Sequence, residues 1–335
     1  MQKALTYDDV LLVPQYSDIE SRSEASLTTD LGRGVELELP IIASPMDTVS
    51  EADMAGSLGE LGGISIIHRY NSIEEQTAMI ASIGENTLVG AAVGVSGDFA
   101  DRAISAVTAG AKIICIDVAH GHHILVKKAI NKIRKVLPNI HIMAGNVATL
   151  EGFNDLADWG ADSIRCNIGG GSICTTRIQT GHGVPGLETI LQCAKSDRDA
   201  KIIADGGIKN SGDIVKAFAA GADAVMLGSL LAGTDCSPGT IFKTETGELR
   251  KTYRGMASAA AQRDWRGRVS SCEGVSSSVP YRGKLADVIK ELERGIRSGL
   301  SYSGARSVRE LQAKAQWMQQ SNAGATESSA HIRLR

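Results

Sequence analysis

No stretch of this chain approaches the ~18 consecutive apolar residues of a membrane span, and the opening Met1-Gln2-Lys3-Ala4-Leu5-Thr6-Tyr7 has no apolar run suited to a signal peptide. A cytoplasmic protein is therefore expected. Strong charge of either sign is also missing: the net charge is -3 over 335 residues, with a pI near 6.2. That balance excludes a chain that works by blanketing nucleic acid or an anionic membrane, and leaves a small molecule as the expected partner. Cysteines at metal-ligand spacing are absent. Cys115, Cys166, Cys174, Cys193, Cys236 and Cys272 are scattered, several within apolar strand-like runs where they serve as small hydrophobes, so no disulfide framework is implied. His120, His122 and His123 lie close together but have no carboxylate or cysteine at ligand spacing, and a loop of imidazoles touching cofactor or water is expected there rather than a metal site. There is no repeat at solenoid spacing and no low-complexity tract beyond the serines of 270–278.

What is present is alternation. Short β-branched runs bounded by turn signals predict strands at 40–43, 63–67, 88–93, 112–117, 140–144, 162–166, 201–204 and 224–227. Helix-period stretches predict helices at 49–61, 73–83, 98–109, 124–136, 150–159 and 212–220, with two more at 285–296 and 308–318. Near-continuous apolar strands imply burial on both faces, and eight strand–helix units fit a closed (β/α)8 TIM barrel better than an open doubly wound sheet. The whole chain, 1–335, is expected to form that one barrel, with a flap at about 234–283 where the alternation stops and a polar tail at 321–335.

Polar and glycine residues gather just after the predicted strands: Ser44-Pro45-Met46-Asp47, His68-Arg69, Asp117, Gly145-Asn146, Asn167 to Ser172, Asp205-Gly206-Gly207 and Gly228-Ser229. In a barrel these share the C-terminal rim, where active sites lie and where the last two loops commonly hold a phosphate. The segment from Asn167 to Arg177, Asn-Ile-Gly-Gly-Gly-Ser-Ile-Cys-Thr-Thr-Arg, sets one thiol on a glycine-rich loop directly after an apolar strand. Glycines admit positive φ and bring bare amides close to an anion, an arrangement that suits a thiolate nucleophile at Cys174.

These motifs, together with Tyr7-Asp8-Asp9-Val10-Leu11-Leu12-Val13-Pro14, Met143-Ala144-Gly145-Asn146 and Tyr253-Arg254-Gly255-Met256, resemble the IMP dehydrogenase/GMP reductase family, with coverage from about Leu5 to Met318. The resemblance implies a homotetrameric barrel enzyme in which Cys174 attacks C2 of a purine nucleotide. It implies that Ser172, Gly207, Gly228, Ser229 and Tyr253 hold the 5′-phosphate, that Asp205 beside Gly206 accepts from the ribose hydroxyls, and that Ser44, Met46, Met226, Gly255, Met256 and Ala257 surround the nucleotide and its base. Asp117 and Asn146 are implied on the nicotinamide side, and the backbone carbonyls of Gly169, Gly171 and Cys174 as ligands of a monovalent cation such as potassium. Gly170 departs from the proline that many bacterial relatives carry in that loop.

Two reactions share the scaffold. The regulatory insertion of paired CBS modules that typifies the dehydrogenase is absent, since Ile83-Gly84-Glu85-Asn86 runs straight into the third strand. The Arg-Tyr pair with which dehydrogenases activate water is also missing between Met256 and Glu273. Thr176 and Glu273 match the threonine and glutamate that serve as an acid/base relay, and both occur in bacterial dehydrogenases as well. Ala119-His120-Gly121-His122 and Ile208-Lys209-Asn210-Ser211-Gly212-Asp213 read like a dehydrogenase. Missing catalytic groups constrain turnover directly, so the expectation is GMP reduction with NADPH. The alternatives are NAD-dependent IMP oxidation, with Arg263 or Arg268 activating water, and a non-catalytic purine-nucleotide sensor.

Overall fold

The computed structural model describes residues 3–84, 86–269 and 273–328. The eight apolar runs form strands Ile41–Ala43 (β1), Ile64–Ile67 (β2), Val89–Val93 (β3), Ile113–Asp117 (β4), His141–Val147 (β5), Ser163–Cys166 (β6), Lys201–Asp205 (β7) and Ala224–Leu227 (β8). Each pairs in parallel with the next, and β8 returns to β1 through Val225 opposite Ile41, so the sheet closes into a barrel. Closure removes every sheet edge, which is why Val, Ile and Ala can fill both faces of these strands.

The connecting helices are Ala52–Glu60 (α1), Ile73–Ala81 (α2), Phe99–Thr108 (α3), Ile124–Val136 (α4), Leu150–Asp158 (α5), Gly186–Cys193 (α6), Ser211–Ala219 (α7) and Leu285–Tyr302 (α8). Side chains that accept N-terminal amides fix where several of them start: Ser72 accepts from Glu75 N at 3.1 Å, Thr149 from Gly152 N at 3.1 Å and Asn210 provides the same for Asp213 N at 2.9 Å. α8 lies close against α7 because it presents glycines there; a Cβ at Gly295 would come within 2.1 Å of Ser211, and one at Gly299 within 2.6 Å of Val215.

Two apolar layers result. Ile42, Ile64, Ile66, Ile113, Met143, Ile203 and Met226 fill the barrel interior, and Leu31, Val35 and Leu37 from the hairpin Thr29–Asp30/Glu36–Leu37 plug it at the N-terminal ends of the strands. The outward side chains of the strands pack under the helices. A closed, side-chain-filled interior leaves the opposite rim as the place for a site.

The structure corrects three expectations. The segment 234–283 is no irregular loop: it holds the antiparallel strands Ile241–Lys243, Leu249–Arg254 and Ser276–Pro280 and a helix, Ala259–Arg266. The helix expected at 308–318 ends at Lys314, and Trp317–Gln319 is a strand paired with Val10–Leu12 near the other end of the chain. α6 was not predicted. In the polar tail Asn322–Glu327 is helical, whereas residues 329–335, like Cys272, lie outside the described residues.

One buried carboxylate sets a pH dependence for the fold. Asp223, between α7 and β8, accepts from Ile202 N at 2.7 Å, yet burial pushes its pKa up to about 6. The folded state then binds more protons than the unfolded state between about pH 4 and pH 6, so the stability this group contributes at low pH is lost as pH rises through that window. Asp223→Asn retains an acceptor and removes the charge. We expect it to be more stable than wild type at pH 8 by about 2 kcal/mol, after discounting for partial exposure, and to lose that advantage by pH 4. Thermal melts across the range check the crossover.

Candidate active site

At the C-terminal rim the chain leaves β6 through Asn167, whose φ of 151° is followed by Gly169 at 79°. The Asn167 amide donates to the carbonyls of Asp205 at 2.9 Å and Gly206 at 3.2 Å, which ties this loop to the one after β7. Arg177 braces it from behind: Nη2 donates to Val184 O at 2.7 Å, and a Cβ at Gly169 or Gly183 would come within 2.6 Å of Arg177 Cγ. Only glycine therefore lets the arginine cross the loop at those two points.

The loop carries Cys174 at its end, with Cys174 N donating to Gly171 O at 3.1 Å. The thiol donates to Thr176 Oγ1 at 3.1 Å, and the threonine hydroxyl donates to Glu273 Oε2 at 2.9 Å. Glu273 is 97 residues further along the chain. Its backbone is held by Thr175 N donating to Glu273 O at 3.0 Å and by the bridge between Cys174 and Gly274, so the relay geometry is fixed by main chain. Cys174 is partly exposed, whereas Cys115, Cys166 and Cys193 are buried. Burial pushes the Cys115 thiol up to about 12, which leaves it inert as a nucleophile.

Beside the thiol, the loops carrying Gly171, Gly206-Gly207 and Gly228 meet the strand Leu249–Arg254. Gly206 and Gly207 adopt φ of 88° and 78°, the left-handed region that favours glycine, and a Cβ at Gly207 would come within 3.3 Å of the Gly170 carbonyl oxygen. Ser172 bonds the Tyr253 hydroxyl, and the ring is buried at 5% exposure. Burial, opposed by that bond, pushes the phenol up to about 12, so Tyr253 stays a neutral donor at any physiological pH. Gly228 lies opposite: a Cβ there would come within 2.7 Å of Tyr253 Oη, 3.1 Å of Ser44 Oγ and 3.4 Å of Met46 Sδ. Ser229 follows at the start of the short helix Ser229–Ala232. Gly228→Ala should push the tyrosine hydroxyl out of line with Ser172.

Deeper in the mouth, the carboxylates that end β4 and β7 share one buried guanidinium. Arg165 Nη1 donates to Asp117 Oδ1 at 2.5 Å, while its Nε and Nη2 reach Asp205 Oδ2 at 3.0 and 2.8 Å. Burial disfavours the arginine's charge, but Asp205 and Asp117 more than reverse this and hold it protonated. Asn146 Nδ2 donates to Asp205 Oδ2 at 2.8 Å and to Asn167 O at 3.1 Å. Arg69 Nη2 donates to Asp117 O at 3.2 Å. Asn146, expected on the nicotinamide side, thus serves Asp205 through its amide. Met226, expected at the base, is buried in one cluster with Ile42 and Ile203 and pairs in register with Asp205.

The remaining wall comes from 254–266. Arg254 clamps Asp47 Oδ2 through Nε at 2.9 Å and Nη2 at 2.6 Å, and reaches Asp264 on the helix at 2.5 Å. Asp47 N donates to Met256 Sδ at 3.3 Å, Gly255 N to Val275 O at 3.1 Å, and Ala257 O accepts from Gln262. Trp265 stacks on Tyr70 with centroids 6.1 Å apart, and Arg69 and Arg266 lie over the same ring at 5.6 and 5.9 Å. The helix is therefore docked on the loop after β2. Of the histidines, His122 Nε2 meets Asp155 Oδ2 at 2.8 Å and His123 Nδ1 accepts from Leu125 N at 3.2 Å as the cap of α4, so two of the three imidazoles have a protein partner at one ring nitrogen. Among the described residues no group of three or more His, Cys, Asp or Glu is placed to hold a metal ion, and no helix is long and apolar enough to cross a membrane.

The sequence names the thiol, Thr176, Glu273 and the loop glycines, and includes Asn167 and Arg177 in that loop without a bracing role; Arg165 is not among its candidates. A signal for Arg165 was present: a cation in the middle of a strand buried on both faces requires carboxylate partners.

Comparison with known proteins agrees with this picture. Inosine-5′-monophosphate dehydrogenase of Nitrosopumilus maritimus is 34% identical, with 98% of each chain covered. GMP reductase of Leishmania major is 32% identical over 99% of this chain and 97% of its own. Their alignments extend over 469 and 480 positions against 335 residues here, so both relatives carry an internal stretch that this chain lacks. Among solved structures, a cysteine-to-alanine variant of Trypanosoma brucei GMP reductase in complex with guanosine 5′-monophosphate superimposes with a TM-score of 0.94 at 32% identity, covering 99% of this chain and 98% of that one. The family model for the IMP dehydrogenase / GMP reductase domain matches residues 4–331. The chain belongs to the IMP dehydrogenase/GMP reductase family of oxidoreductases acting on purine nucleotides.

Proposed function

We propose that the protein is a GMP reductase, converting GMP to IMP and ammonia. The observation that carries this reading is the continuous relay from Cys174 through Thr176 to Glu273, at 3.1 and 2.9 Å, beside a segment 254–266 that has no Arg-Tyr pair and is docked on Tyr70. Ser172, Gly207, Gly228, Ser229 and Tyr253 would hold the 5′-phosphate, and Asp205 the ribose. Ser44, Met46 and the stretch from Gly255 to Ala257 would border the base.

The thiolate of Cys174 adds to C2 of the purine. With the Cys174 proton released to solvent and Glu273 protonated from solvent, Glu273 delivers its proton through Thr176 to the exocyclic nitrogen, the C2–N bond breaks and ammonia leaves, which yields a thioimidate on Cys174. A reduced nicotinamide dinucleotide, NADPH in this proposal, supplies the hydride to C2 when bound. The C2–S bond then breaks, the electron pair returns to sulfur and IMP is released. Asp117, partly exposed in the mouth, has a carboxylate suited to a ribose of that dinucleotide. The carbonyls of Gly169, Gly171 and Cys174 are uncharged oxygen donors on one loop, a set that suits a large monovalent cation such as potassium; that of Gly171 also accepts from Cys174 N. Such an ion would stiffen the nucleophile loop.

The second reading, IMP oxidation with NAD, is favoured by the near-equal identity to relatives of both names and by Arg263 in the docked helix. Mixing the pure protein with GMP and NADPH should consume nicotinamide absorbance and release ammonia in equal amounts. Turnover only with IMP and NAD would replace the reductase by the dehydrogenase; turnover of neither, with tight GMP binding, would leave a sensor. A tetramer is part of the proposal, and light scattering that returns a monomer mass would remove it.

A further inference from the structure

Arg165 is buried at 6% exposure in β6, yet its side chain enters the polar mouth of the barrel. Three features make room for it. Gly145 lies opposite in register on β5, and a Cβ there would come within 2.6 Å of Arg165 Cβ. Asp117 and Asp205 end the strands β4 and β7 on either side, and each gives it one carboxylate oxygen. The Arg165 bonds to Asp205, together with that of Asn146, fall on Oδ2. A planar fork with fixed donors can hold two carboxylates in one plane, which an ammonium cannot.

We infer that Arg165 is a positioning residue that holds Asp205 and Asp117 in register, so that the mononucleotide site and the dinucleotide site are set by the same side chain. The inference rests on the assignment of those two carboxylates to the ribose of the nucleotide and of the nicotinamide dinucleotide. Arg165 is bonded to both carboxylates. It acts by directing which oxygen of each carboxylate faces the mouth, and by sharing its single charge between them. Loss of one carboxylate partner commits the guanidinium to the other. The two binding sites are thereby coupled through a buried ion triad, with the coupling reciprocal between ligands.

The test is Arg165→Lys, which keeps the charge and loses the fork. Expected are increases of at least tenfold in KM for both GMP and NADPH, with the pH profile of kcat unchanged because the relay from Cys174 to Glu273 is untouched. In an Asp117→Asn background the same substitution should add less than twofold to the NADPH effect, because it acts through that carboxylate. A merely structural role would lower kcat and stability without this non-additivity. Where Arg165→Lys does not fold, Asp117→Asn alone decides: it should weaken GMP binding, measured by calorimetry with no dinucleotide present, by at least threefold. GMP affinity within twofold of wild type in Asp117→Asn, or unchanged KM values in a folded Arg165→Lys, would overturn the inference. Failure of wild type to turn over any nucleotide would instead count against the proposed reaction and leave the binding arm readable.

Discussion

Replacement of Cys174 by alanine should abolish turnover by at least ~10⁴-fold, about 5.5 kcal/mol of transition-state stabilisation, while GMP binding stays within about threefold of wild type. The separation follows from where the parts lie. The proposed phosphate site, Ser172, Gly207, Gly228, Ser229 and Tyr253, holds together through the Ser172–Tyr253 bond, which does not involve the thiol. Alanine at 174 keeps the amide that donates to Gly171 O, so the turn of the loop persists. Only the atom that bonds C2 is lost, together with the donor to Thr176. Cys174→Ser is expected to be nearly as inactive, since an alkoxide is far less accessible than a thiolate at neutral pH and serine keeps only the hydrogen bond. Intact-mass measurement during turnover should find an adduct on the wild-type protein and none on either variant. Residual activity of a tenth or more in the alanine variant would remove covalent catalysis from the proposal.

How much of this was legible in the residues depends on what fixed each part. The barrel strands were readable because burial on both faces forces runs such as Ile113–Ile116, and the turns between them need glycine or asparagine. β5 was read three residues short because Gly145 and Asn146 look like the start of a loop, whereas they stay in the strand to face Arg165 and Asp205. The strand Leu249–Arg254 was hidden by its charges. Lys251 is buried not by an apolar partner but by donating to the carbonyls of Thr234 and Ser237, a satisfaction that no periodicity reveals. Trp317 and Met318 read as helix because the pairing of their strand with Val10–Leu12 is set by tertiary contact across almost the whole chain. The site divides in the same way. The glycine loop and its thiol are local and were visible, while the approach of Glu273 to Thr176 depends on the Cys174–Gly274 bridge and was available only through family resemblance.

Glu273→Gln should lower the rate of GMP turnover by about 10²–10³-fold with little change in KM. The amide keeps an oxygen for the Thr176 hydroxyl and the backbone contacts of Glu273 to Thr175 remain, so the loop geometry is preserved and the proton store is lost. The loss should fall on departure of the nitrogen, which needs a proton, and not on attack by sulfur. A 2-chloropurine nucleotide separates the two steps, because chloride leaves C2 as an anion with no proton supplied. Glu273→Gln is therefore expected to form the Cys174 adduct with that compound at a rate within about fivefold of wild type, as read by mass or absorbance. Thr176→Val should reproduce the loss with GMP, since it breaks the 3.1 and 2.9 Å links together, while Thr176→Ser, which restores the hydroxyl, should recover most of the rate. If Glu273→Gln slowed the chloro compound as severely as GMP, the carboxylate would be acting on the thiol itself, and proton delivery to the leaving nitrogen would have to come from another group.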